Sequence, residues 1–114
     1  MSQSATPISA QTLARLEATI AERAAADPHS SYVAKLNAKG LPKIAQKLGE
    51  EATEAVIAAL VEDKAALVGE AADLIFHLMV LLGNKGIPFA EVLAELDRRE
   101  GVSGIAEKAS RPAD

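Results

Sequence analysis

From Leu13 onward the apolar residues recur three and four positions apart, and no stretch shows the strict alternation of a half-buried strand. Leu13, Leu16 and Ile20 predict a first helix over residues 9–26, with a start at Thr6-Pro7 and a stop at Asp27-Pro28. His29-Ser30-Ser31 reads as a turn carrying hydroxyl caps, followed by a short helix over 31–39 that ends at Gly40. Pro42 suits the first turn of a third helix reaching Glu62. Asp63 caps a fourth that runs to Lys85 and stops at Gly86, and Pro88 opens a fifth through Glu100. The expected fold is all-α: a small bundle of about five helices forming one domain over residues 1–100. Residues 101–114 hold two Gly, two Ser and a Pro and predict a loose tail.

Helical projection sharpens the third and fourth elements. Ile44, Leu48, Ala52, Ala55 and Ala59 fall in a stripe about 80° wide, with Lys43, Lys47, Glu50 and Glu54 on the adjacent face. Glu51 lies on the border, which makes it the least hydrated of the three glutamates. In the fourth helix Glu70, Asp73 and His77 share one side. Beyond Asp73 the residues 74–82 are apolar in every direction except at His77. So small a chain cannot cover such a helix alone, which predicts a partner subunit in a two-fold dimer.

Composition narrows the setting. The hydrophobic share is 49% but the aromatic share only 3%, so the core is aliphatic and suited to close helix packing. The absence of cysteine removes disulfides and thiolate metal sites and fits a reducing cytoplasm. A net charge of −4 argues against a general nucleic-acid binder. Residues 1–7 lack a signal-peptide pattern, and the run 78–82 is too short to cross a bilayer, so a soluble cytoplasmic protein without membrane partners is expected.

The chemistry concentrates in Glu50-Glu51-x-x-Glu54 and Glu70-x-x-Asp73. Carboxylates from two packed helices repel one another, and burying them is costly without compensation. A divalent cation resolves the conflict; Mg²⁺ prefers oxygen ligands, waters and a substrate phosphate. The plainer alternative is a solvated acidic face. Against it, Glu50 and Glu51 are adjacent and cannot both avoid the bundle, and Lys64 is the only Lys or Arg between Gly49 and Asn84. Lys35, Lys39, Lys43 and Lys47 recur every four residues; alone they read as a solvated face, but beside a cation site they read as phosphate contacts. A lone His77 in an apolar helix reads first as a hydrogen-bonded core residue and second as a base or ligand. Met79 and Phe76 read as core. Gly83-Asn84-Lys85 is a helix ending, with no Walker pattern. A ferritin-like di-iron bundle is disfavoured because the helix lacks the Glu-x-x-His pair of that plan.

Ser31-Tyr32, Lys35-Leu36, Lys39-Gly40, Lys43-Ile44, Lys47-x-Gly49-Glu50-Glu51-Ala52-x-Glu54, Glu70-Ala71-Ala72-Asp73-Leu74 and His77-Leu78 occur in that order. In this the sequence resembles the phosphoribosyl-ATP pyrophosphatases, within the all-α, MazG-like nucleotide pyrophosphohydrolases. The resemblance spans Leu13 to Arg99; Phe76 stands where that family often has tyrosine. It implies Mg²⁺-dependent hydrolysis (Mn²⁺ substituting) of the α–β anhydride of phosphoribosyl-ATP, giving phosphoribosyl-AMP and pyrophosphate. It places metal ligands at Glu50, Glu51, Glu54, Glu70 and Asp73. Glu51, with Glu50, is the candidate to accept the proton of the attacking water. Lys43 and Lys47 would hold the outgoing pyrophosphate or the phosphoribosyl phosphate. Lys35, Ser31 and Tyr32 would contact the second phosphate or the ribose. Two other readings stay open: a relative that hydrolyses other nucleoside triphosphates, and a non-catalytic helical dimer.

Overall fold

The computed structural model describes residues 11–101 together with 108, 109 and 111. Five helices occupy residues 11–101: α1 (Gln11–Ala24), α2 (Tyr32–Lys39), α3 (Leu41–Val61), α4 (Lys64–Asn84) and α5 (Phe89–Arg99). There is no strand among the described residues, and the all-α expectation holds. The expected start of the first helix, at Ser9, and most of the tail lie outside the described residues.

Local chemistry sets each boundary. Ser31 Oγ accepts the Ala34 N–H at 3.2 Å and donates to the Arg23 carbonyl at 3.3 Å, so one hydroxyl starts α2 and ties it to the end of α1. Gly40 closes α2 and opens α3 at φ 94°, a conformation that a side chain would strain. Asp63 Oδ1 accepts the Ala66 N–H at 2.8 Å and caps α4. At the far end Gly86, φ 70°, lets Ile87 N–H reach back to the Leu82 carbonyl at 2.9 Å. Pro88 has no side chain to cap α5; Glu17 of α1 takes that role, accepting the Phe89 N–H at 2.7 Å.

The core joins Ile20 of α1, Val33 and Leu36 of α2, Ile44 of α3, and Met79 and Val80 of α4. Ile44 and Val80 are fully enclosed, and Leu16, Phe76, Leu81 and Phe89 pack around them. The largest helix pairing is α3 against α4, an antiparallel hairpin joined through Glu62 and Asp63 alone.

Two expectations need correction. The buried line of α3 runs through Ile44, Glu51 and Ala58, whereas Leu48, Ala52 and Ala55 are half-buried and Ala59 is exposed. Those buried residues are seven apart, two turns of helix, so the contact face is rotated toward Glu51 relative to the projected stripe. Helix α4, by its full length and composition, is also long and apolar enough to cross a membrane, more than its short apolar run suggested. Yet Glu70, Asp73 and His77 lie on it, and it packs along α3.

The single chain leaves much apolar surface open. Leu60 and Val61 near the end of α3 are 78% and 77% exposed, and Val56, Ile57, Val68 and Ile75 are also open. Leu93 and Leu96 lie on one stripe of α5, and that helix buries none of its residues.

Candidate metal and active site

The α3–α4 hairpin builds the acidic centre. Glu51 and Asp73 stand at nearly equal distances from the Glu62–Asp63 link, and Glu54 and Glu70 do likewise one turn closer to it. An antiparallel pair therefore brings the two acidic motifs level. Glu51, Glu70 and Asp73 can each offer a carboxylate oxygen within 4.8 Å of the others. Glu51 is only 8% exposed, Glu70 is half-buried, and Asp73 is exposed. Thus the trio forms a wall that opens to solvent on the Asp73 side.

Its electrostatics are uncompensated. Glu51 Oε2 and Glu70 Oε1 are buried without a hydrogen-bond partner. Burial, then the charges of Glu54, Glu51, Asp73 and Glu62, pushes the Glu70 carboxyl above its ordinary value. Buried acceptors of one sign are unfavourable unless a donor or cation completes them. Oxygen-only donors within a few ångströms, one side facing water, suit a hard divalent cation.

The remaining predicted residues divide into two places. Glu50 points toward its own helix: it accepts hydrogen bonds from Gln46 at 2.7 Å and Lys47 at 3.2 Å, which hold its carboxyl below the usual range. The Glu50 hydrogen bond in turn raises the Lys47 ammonium. Glu54 is exposed, outside the trio but close enough to act on Glu70. Lys43 is half-buried and acts on Glu50. Lys43 and Lys47 therefore border the acidic centre, whereas Lys39 is exposed and takes no part in it.

Ser31, Tyr32 and Lys35 line a separate polar cavity of about 360 Å³ with Pro28, His29 and Ser30. Tyr32 is its link to the acids. The Tyr32 hydroxyl lies 2.9 Å from His77 Nε2, and its ring stacks on Phe76 with centroids 6.2 Å apart. Burial raises the phenol, Lys47 opposes this, and Glu51, Glu50 and Asp73 add to it. His77 is 5% exposed, its Nδ1 lying 2.8 Å from the Asp73 carbonyl oxygen. Sequence reasoning placed His77 as a hydrogen-bonded core residue, which it is; its bond to Tyr32, 45 residues away, had no local signal. His29 and Ser30 were passed over as a turn. Their polarity beside Ser31 and Lys35 was the available clue.

A larger cavity of about 480 Å³ lies between α1, α4 and the turn before α5, lined by Ile20, Met79, Val80 and Ile87 among others. Its carboxylate, Glu17, is already engaged by the Phe89 N–H, and its two amides, Asn37 and Asn84, hydrogen-bond to each other at 3.1 Å.

Fold and site together define a class: an all-α protein whose helical hairpin gathers three carboxylates that could hold a cation. A family model described as phosphoribosyl-ATP pyrophosphohydrolase matches residues 13–100. A phosphoribosyl-ATP pyrophosphatase of Novosphingobium aromaticivorans is 78% identical over 101 residues, covering 89% of this chain and 94% of the relative. Proteins of the same name from Rhizorhabdus wittichii and Erythrobacter litoralis are 71% and 70% identical, over 89% and 88% of this chain and 95% and 96% of their own lengths. The chain belongs to the phosphoribosyl-ATP pyrophosphohydrolase family.

Proposed function

We propose that this protein hydrolyses the α–β phosphoanhydride of phosphoribosyl-ATP, giving phosphoribosyl-AMP and pyrophosphate, the second step of histidine biosynthesis. The observation that carries this reading is the pair of unpartnered buried carboxylate oxygens, one on α3 and one on α4, in a chain of this family. Glu51, Glu70 and Asp73 would hold Mg²⁺, or Mn²⁺ in its place, with Glu50 and Glu54 completing the ligand set. When bound, the cation would neutralise and orient the phosphate oxygens as charge shifts to the leaving group. Glu51 takes the proton of the attacking water, its carboxylate being largely shielded from bulk solvent. Lys47 and Lys43, at the edge of the acids, bind the phosphate chain as mobile point charges. Ser31, Tyr32 and Lys35 line the polar cavity and receive the ribose or second phosphate.

The enzyme works in the cytoplasm as a homodimer without nucleic-acid or membrane partners. Residues 1–100 form the catalytic domain, and 101–114 are an appendage to it. The open apolar residues on α3, α4 and α5 support the dimer, since a lone chain exposing them would associate. Leu60→Glu is expected to shift the protein to monomer in sedimentation velocity; an unchanged dimer would place the contact elsewhere.

The reaction itself is tested by product analysis. With phosphoribosyl-ATP and Mg²⁺ the protein should release pyrophosphate and phosphoribosyl-AMP, and chelation should stop it. Turnover of dCTP or dUTP, with none of phosphoribosyl-ATP, would assign it to the other nucleotide pyrophosphohydrolases. No turnover and no Mg²⁺ heat in calorimetry would leave only a helical assembly.

A further inference from the structure

The polar cavity of about 360 Å³ beside α2 has no carboxylate in its lining, in a chain whose net charge is −4. Its hydroxyls are already committed. Ser30 Oγ donates to the Asp27 carbonyl at 3.2 Å, and Ser31 Oγ donates to the Arg23 carbonyl at 3.3 Å. The Tyr32 hydroxyl is engaged at 2.9 Å with His77 Nε2. Two side-chain donors of the lining have no partner among the described residues: the His29 ring and the Lys35 ammonium. The backbone N–H of His29 donates to Asp27 Oδ1 at 2.9 Å, so the turn holds the residue in place and leaves its imidazole free. On α2 no acid stands three or four residues from Lys35 to draw it away.

An imidazole N–H beside an ammonium, with no acid among them, suits a phosphate. The volume is that of a small-molecule site, with room for a phosphate ester and its sugar. Position adds to this. Tyr32 lines the cavity and reaches His77, four residues after Asp73 on α4. One aromatic side chain and one helical turn, about 5.4 Å, therefore lie between the cavity and the carboxylate trio. Phosphoribosyl-ATP has two anionic ends, a triphosphate and the 5′-phosphate of its phosphoribosyl group. The triphosphate can approach the trio only with a cation between them. Without a cation of its own, the second phosphate is repelled by those acids. The acid-free cavity is where it can settle.

Resting on the pyrophosphohydrolase reading and deepening it, we propose that His29 and Lys35 form the subsite for the 5′-phosphate of the phosphoribosyl group. This subsite separates phosphoribosyl-ATP from nucleoside triphosphates that lack that phosphate. The cavity is thereby committed to the phosphate, with the Ser30 and Ser31 hydroxyls holding the turn in shape, and His29 becomes a specificity residue. Contacts made there are remote from the breaking anhydride. They act on binding and leave the chemical step to the acidic centre.

The test separates the two ends of the substrate. His29→Ala and Lys35→Gln should each raise KM for phosphoribosyl-ATP about tenfold, and the double variant about a hundredfold, with kcat within about twofold. Both side chains are exposed, so neither substitution disturbs the core. The analogue α,β-methylene-ATP has the triphosphate but no second phosphate. It should inhibit wild type and variants with Ki values within about twofold of one another. An unchanged KM in the double variant would overturn the proposal. So would a Ki that rises with KM, which would put these residues on the triphosphate. A second measurement needs no turnover. In metal-free protein the ¹H–¹⁵N signals of the His29 ring should shift on adding ribose 5-phosphate and stay still on adding ribose. No shift, or the same shift with ribose, overturns the proposal. A wild type that releases no pyrophosphate would sink the functional reading, while the ribose 5-phosphate titration still decides whether the cavity takes a phosphate ester. An active wild type with an indifferent double variant sinks this inference alone.

Discussion

Replacing Glu51 by glutamine is expected to lower kcat/KM for phosphoribosyl-ATP at least about a hundredfold, on the order of 3 kcal/mol of transition-state stabilisation. The same substitution should raise the melting temperature of the metal-free protein. Both follow from one position: Glu51 sits on the buried line of α3 between Ile44 and Ala58, with an oxygen that has no partner. Glutamine has nearly the same shape, removes a charge from the cluster, and brings an amide that can donate to Glu70. Divalent-ion affinity should fall with the activity. A purely structural glutamate would move stability and activity in the same direction, so steady-state kinetics beside calorimetry in chelator separates the two roles. Glu50→Gln should cost less than Glu51→Gln, because Glu50 is already engaged with Gln46 and Lys47.

The second large effect is an inverted pH dependence of stability. The Glu70 carboxyl is raised above 4.5, first by burial and then by Glu54 and its other acidic neighbours, so the folded protein binds this proton more tightly than the unfolded chain does. Stability must then fall as pH rises from 4.5 through the raised value, because the folded state gives up a proton it held better. Groups with lowered values act on the other side. Arg98 and Arg99 hold Glu95 at about 2, and Gln46 with Lys47 holds Glu50 low, so the stability they contribute is lost as pH falls below 4.5. Metal-free protein should therefore be most stable in weak acid. Saturating Mg²⁺ should move the optimum toward neutrality by binding the ionised cluster. Thermal denaturation across pH, with EDTA and with Mg²⁺, is the measurement, and Glu70→Gln should flatten the neutral limb. A metal-free protein that becomes steadily more stable from about pH 5 to about pH 8 would contradict this account.

Most boundaries were legible because single residues with strong local chemistry mark them. Ser31 and Asp63 supply side-chain caps, Gly40 and Gly86 supply positive φ, and Pro42 and Pro88 sit where a missing N–H does no harm. The clustered acids were visible as motifs, and Glu51 as their least hydrated member. Their division was not. Whether a glutamate joins Glu70 or turns to a lysine one turn away depends on the rotation of α3 against α4, which a projection gives only to within part of a turn. The same uncertainty misplaced Ala59 in the core instead of Ala58. Tyr32 and His77 meet across 45 residues, and no local period encodes such a pairing. Glu17 capping α5 from α1 was invisible for the same reason.

The short connection at Glu62 and Asp63 makes chain length a functional quantity. Removing or adding one residue there would turn every later side chain of α4 by about 100° about its axis. Ala72 or Leu74 would then take the place of Asp73 while the helices themselves survived. Between Glu51 and Glu70 the number of residues is therefore as much a part of the acidic cluster as the acids it aligns.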